Sequence, residues 1–142
     1  MIIIKPGSHA YRIVKLLLLT GEFPFRSLEL LGDTRTLKAI ATRMSKVDTV
    51  KFSWCDEPFE GRVICMSGKG EMKTMRLSKR VFPILQGILG KELHQYLCLF
   101  PQGHFRGDQK KIDRHHRLAE TIAFMMMSGI ECSSHLIPQL QI

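Results

Sequence analysis

The chain reads as an α+β protein, mostly helical, with short strands clustered in its middle. Apolar residues recur at helical spacing up to Val47, β-branched and aromatic residues cluster in short runs between Thr49 and Ser78, and a long helical pattern returns after about residue 110. At 142 residues there is room for one ordinary domain, or a small domain with a helical appendix, and for a real core.

The elements follow from local chemistry. After the turn "KPG", Ser8 can cap a first helix running to about Thr20, whose unbroken Leu16 to Leu19 implies burial on most sides; Gly21 closes it. Pro24 suits the first turn of a short helix, "PFRSLELL", with Phe25, Leu28 and Leu31 at helical spacing, and Gly32 ends it. Asp33 is the expected N-cap of a third helix over residues 34–46. "TVKFSWC", "GRVICMS" and "MKTMRLS" are then expected as a three-strand meander, with "DEPFEG" and "SGKGE" as its turns. Ser78 begins a further helix that Pro83 must distort or shift, and "GKELHQYLCLF" continues helical. "PQGHFRGDQ" is a loop, the last helix stops at Gly129, and "IECSSHLI" starts a strand. No internal repeat or low-complexity tract is present.

Three helices followed by a β-hairpin is the order of a winged helix-turn-helix. The expected organisation is a winged-helix DNA-binding domain over residues 8–90 and a C-terminal helical extension over 91–142, the latter a set of additional helices or the start of a truncated α/β domain. The third helix is then the recognition helix. Leu37, Ile40, Ala41, Met44 and Val47 form one apolar stripe, while Arg35, Ala39, Thr42 and Lys46 lie opposite, flanked by Lys38 and Arg43. Arginine can bond a guanine edge through two N–H groups, threonine can meet a thymine methyl or a phosphate, alanine permits close approach and lysine meets phosphate. The hairpin adds Lys69, Lys73 and Arg76, with Lys79 and Arg80 just beyond. Arg35, Lys38, Thr42, Arg43, Lys46, Lys69, Lys73 and Arg76 are therefore the candidate DNA-binding residues. A solvated basic face is the alternative.

Charge points the same way. Lys and Arg number 21 against 13 Asp and Glu, a net +8, which favours an anionic partner, with nucleic acid ahead of an anionic membrane surface. Lys5, His9, Arg12 and Lys15 break the apolar start, so a signal peptide is not expected, and no other run approaches the roughly 20 apolar residues that span a bilayer. Cys55, Cys65, Cys98 and Cys132 form no CxxC pair, which fits free thiols in a cytoplasmic protein rather than a zinc ribbon or redox dithiol. His104, His115, His116 and Glu120 are close in sequence, but no HExxH is present; neither a metal nor any other cofactor is expected. On the last helix His115 shares a stripe with Ile112, Ala119, Ile122, Ala123 and Met126, the position of a packed, hydrogen-bonded histidine. The run Met125–Met127 beside Phe124 belongs to a core or to an adaptable interface with a second copy or a partner protein.

"YRIVKLLLLTGEFPFRSLELLG", "TRTLKAIATRMSK", "VICMSGKGEMKTMRLSKR" and "HRLAETIAFMMMSGIE" together resemble the replication-relaxation group of winged-helix proteins from bacterial plasmids, phages and integrative elements. The resemblance covers most of the chain and implies double-stranded DNA binding in the replication or mobilisation of an element; the expected function is sequence-specific or structure-dependent binding of double-stranded DNA in replication, mobilisation or transcription control of a mobile element. Some longer proteins of this arrangement continue into a nuclease-like region, in which a helix glutamate precedes strand-borne Asp and Glu-x-Lys residues. Glu120 can match that glutamate, but only Glu131 follows it and no Glu-x-Lys does, so no catalytic residue is assigned and the chain is not expected to be an enzyme. The alternatives are a protein-interaction adaptor using the winged fold and the Met-rich helix, and a non-catalytic remnant of a nuclease-type protein.

Overall fold

The computed structural model describes residues 1–99 and 109–127. Of the expected loop over 101–109, residues 101–108 lie outside the described residues, as do the stop at Gly129, the strand near 130–137, His104 and Cys132; Gln109 is already helical.

An unforeseen strand, β1 (Ile2–Ile4), opens the chain, burying Ile2 and Ile4 and exposing Ile3. After the turn, the Ser8 hydroxyl accepts from the Tyr11 N–H at 3.2 Å and donates to the Lys5 carbonyl at 2.7 Å, starting helix α1 (His9–Thr20). Leu16 to Leu19 are all buried, as their unbroken run requires. The helix sits centrally, packed by helices on several sides, and ends where the Gly21 N–H donates to the Leu17 carbonyl at 2.8 Å.

Strand β2 (Phe23–Pro24) leads into a 3-10 helix over Phe25–Leu31. Phe25, Leu28 and Leu31 are three residues apart, the period of a 3-10 turn, so this tighter helix brings Leu28 and Leu31 together into the core. Arg12 Nη2 donates to the Leu31 carbonyl at 2.9 Å and satisfies the end of that helix from α1. Helix α2 (Thr34–Met44) follows its Asp33 cap.

The strands do not form the expected meander. β3 (Asp48–Phe52) pairs with β1 in parallel, Ile2 opposite Val50 and Ile4 opposite Phe52, and with β4 (Phe59–Gly61) antiparallel. β5 (Ile64–Ser67) and β6 (Thr74–Leu77) form a hairpin whose free side takes β2, giving a second sheet in the order β2-β6-β5. The run "GRVICMS" is not one strand: its first residue, Gly61, ends β4 at φ +146°, which no residue with a side chain readily adopts, and β5 starts only at Ile64. The chain then crosses between the sheets, with the Val63 N–H donating to the Met44 carbonyl at 3.1 Å and the Val63 carbonyl accepting from Ser78 at 2.9 Å.

Ser78 caps a 3-10 turn (Lys79–Val81) before helix α3 (Phe82–Leu99) begins, so Pro83 falls in the first turn of α3, where its missing N–H costs nothing. α3 bends at Leu89, ahead of Gly90. Leu85, Leu89, Leu93 and Tyr96 of α3 and Ala119 and Ala123 of α4 (Gln109–Met127) join the same core as α1, α2 and the strands. The helical segment beyond residue 90 therefore packs on the body formed by residues 8–90. No helix among the described residues is long and apolar enough to cross a membrane.

Candidate nucleic-acid interface

α2 presents the first half of the site. Asp33 Oδ1 accepts from the Thr36 N–H at 3.3 Å and Oδ2 from the Thr36 hydroxyl at 2.8 Å, and these bonds hold the carboxyl below its ordinary range. Leu37, Ala41 and Met44 are fully buried and Ile40 half-buried, which fixes the rotation of the helix. Burying a side chain such as Leu37 or Met44 contributes about 1.5–3 kcal/mol, far more than any surface contact on the opposite face. Arg35, Ala39, Thr42 and Arg43 are thereby left exposed, with Lys38 half-buried at the margin.

Two expectations for this helix are corrected. Ser45 stops it, its N–H donating to the Ala41 carbonyl at 3.1 Å and its hydroxyl to the Thr42 carbonyl at 2.6 Å. Lys46 is thus exposed in the following turn rather than on the helix, and Val47, expected in the apolar stripe, is 72% exposed because the helical periodicity has ended before it. Arg43 has also found an acid from outside the helix, with its Nε 3.5 Å from Asp48 Oδ2 on β3. Both side chains are partly solvated, so this pair contributes no more than about 1 kcal/mol and leaves the guanidinium accessible to a competing phosphate.

The hairpin supplies the second half. Its connection, residues 68–73, folds tightly: a Cβ on Gly68 would stand 2.4 Å from the Met72 carbonyl oxygen. Lys69 and Met72 project into solvent from this connection. Lys73 lies back toward the body, its carbonyl accepting from the Phe25 N–H at 2.9 Å and its ammonium 5.0 Å from the centre of the Phe25 ring. The ammonium of Lys38, from α2, is 5.6 Å from the centre of the same ring. Phe25 therefore brings together one candidate from the helix and one from the hairpin, and neither lysine has a carboxylate within salt-bridge distance among the described residues. Sequence reasoning gave Phe25 a core role only; nothing local signals its two distant cations.

Not every basic residue of the hairpin joins this group. Met75 and Leu77 of β6 are buried, whereas Arg76 between them is half-buried, on the opposite face of the strand, and its charge acts on the buried hydroxyl of Tyr96 in α3. Burial pushes that hydroxyl upward, with Arg76 opposing and Glu22 and Cys65 reinforcing the rise. Arg80 is held over the Phe59 ring at 5.2 Å and donates through Nη2 to the Glu60 carbonyl at 3.2 Å. It braces β4 instead of extending the hairpin's basic surface.

The histidines of α4 form a separate polar cluster. His115 is 4% exposed, and its Nε2 donates to the Thr20 carbonyl, closing the C-terminus of α1. This is the packed, hydrogen-bonded role expected for it. His116 Nε2 is 3.8 Å from Glu22 Oε2. Among the described residues no three His, Cys, Asp or Glu side chains are grouped to hold a metal ion, and Cys55, Cys65 and Cys98 are free thiols. Comparison with family models, curated proteins and solved structures gives no match.

Proposed function

We propose that this chain binds double-stranded DNA through the outer face of α2 and the β5–β6 hairpin, with a winged helix-turn-helix as its core. The observation that carries this reading is the meeting of Lys38 and Lys73 at Phe25: it puts the cationic helix face and the hairpin on one side of the molecule. Helix α1, the short helix over Phe25–Leu31 and α2 precede a hairpin to which β2 adds as a third strand, an arrangement that supports the winged fold. Arg35, Thr42 and Arg43 then face base edges or phosphates in the major groove, while Lys38, Lys46, Lys69 and Lys73 meet phosphate. Arg76 takes no part in this contact. The role is that of a non-enzymatic factor in the replication, mobilisation or transcription control of a mobile element, a setting that rests on the resemblance alone.

Fluorescence anisotropy with a labelled random-sequence duplex tests the reading. About six neutralised phosphates would reduce affinity roughly 10³-fold between about 50 and 200 mM salt. Absence of binding at the lower salt would overturn it in favour of the adaptor, for which Phe124, 63% exposed on α4, is the favouring observation.

A further inference from the structure

We infer that Lys38, Lys73 and Phe25 form a single phosphate clamp, in which the two ammonium groups hold one phosphate of the duplex backbone between the helix and the hairpin. This rests on the proposed DNA binding and adds to it a shared ligand and a positioning residue.

Two cations drawn to one ring repel each other, and the pair is tolerated in the free protein because the negative π-cloud of the ring attracts each of them, at 5.6 and 5.0 Å from its centre. The attraction of an exposed ammonium to a ring is modest, about 0.5–1 kcal/mol, and leaves most of each lysine's hydrogen-bonding capacity unused. No carboxylate of the described residues neutralises either one. A phosphate oxyanion would relieve the repulsion and accept N–H bonds from both ammonium groups, while a neutral ligand would relieve nothing.

The backbone fixes where this happens. Phe25 starts the 3-10 helix, its N–H bonded to the Lys73 carbonyl at 2.9 Å, so the ring's root is tied to the hairpin itself. Lys38 comes from the second turn of α2, whose rotation is set by the buried Leu37 beside it. The clamp would therefore register the hairpin and the helix on the duplex through one phosphate. Phe25 touches no base in this scheme and acts only by positioning the two lysines.

Counterion release distinguishes one shared phosphate from two separate ones. Each neutralised phosphate contributes about 0.9 to the slope of log K against log salt. A shared phosphate predicts that Lys38→Ala and Lys73→Ala each lower the slope by well under 0.9, because the remaining lysine still serves, and that the double variant lowers it by about 0.9. Separate phosphates predict about 0.9 for each and about 1.8 for the pair. Phe25→Leu keeps apolar bulk without the ring and should lower the slope as much as the double lysine variant, with Phe25→Tyr restoring it. A double-variant loss near 1.8, an unchanged slope in the double variant, or an unchanged slope in Phe25→Leu would each overturn the clamp while leaving DNA binding intact. A wild-type chain that does not bind duplex at low salt overturns the clamp and the proposed function together.

Discussion

Gly61 ends β4 with a φ of +146°, and a Cβ at that position would stand 2.6 Å from Arg80 Nη1 and 3.2 Å from Phe59 Cζ. Any side chain here would strain the backbone at the point where the chain leaves one sheet for the other and would press on the Phe59 ring and displace the Arg80 guanidinium. Gly61→Ala should destabilise the fold by more than about 1 kcal/mol, because alanine at positive φ cannot recover its cost through the unfolded state. A urea titration reads this as a lower midpoint; an unchanged midpoint would show that the crossing does not depend on glycine. Ser8 offers a milder case: Ser8→Ala removes the bond from the Tyr11 N–H and should cost about 1 kcal/mol. The caps at Ser8, Asp33 and Gly21 were readable in the sequence since their partners lie within four residues. Phe25 and Arg80 were not, because Lys38, Lys73, Phe59 and Glu60 come to them from 13 to 48 positions away and belong to other elements.

At the scale of elements, helix positions followed from apolar spacing and cap chemistry, while sheet membership did not. "TVKFSWC" pairs with "MIII" at the start of the chain, 48 positions earlier, a parallel partner that no turn signal announces. The outer face of α2 was readable because a buried stripe determines its own opposite. That face can be tested as a unit. Replacing Arg35, Lys38, Arg43 and Lys46 with Ala should lower the salt slope by up to about 0.9 for each phosphate that is no longer neutralised. The fold should survive, since none of the four is buried and the Arg43–Asp48 pair is worth no more than about 1 kcal/mol. Replacing exposed Lys5, Lys91, Arg114 and Arg117 removes the same charge from elsewhere. Comparable decreases of slope in both quadruple variants, each with an unaltered urea midpoint, would mean that net charge alone binds DNA and that α2 holds no special place.

For the molecule as a whole, α4 closes the body over the C-terminus of α1, and its attachment is built from groups that titrate. Burial holds His115 below its ordinary value of 6.5, outweighing the Thr20 carbonyl and Glu22, which pull the other way. The unfolded chain therefore takes up a proton near pH 6.5 that the folded chain refuses, so this group's contribution is complete above that pH and is lost as pH falls toward the folded value. Glu22 acts in the same direction at lower pH. Burial pushes its carboxyl up, but His116, 3.8 Å away, the nearby Thr74 and the charge of His115 together hold it below its ordinary value of 4.5, so its contribution is present above that value and lost on further acidification. Stability should thus be level from pH 8 to about 7, begin to decline as pH falls below about 6.5, and decline further below about 4.5. Urea midpoints across that range read the two steps, and an α4 fluorophore at Thr121, an exposed position, reports whether the helix leaves with the rest of the fold or ahead of it. His115→Gln, which can still donate to the Thr20 carbonyl, should remove the decline that begins below about 6.5 and keep the one below about 4.5. A wild-type midpoint that stays constant from pH 7.5 to 5.5 would show that His115 is not the neutral, buried anchor between α4 and α1.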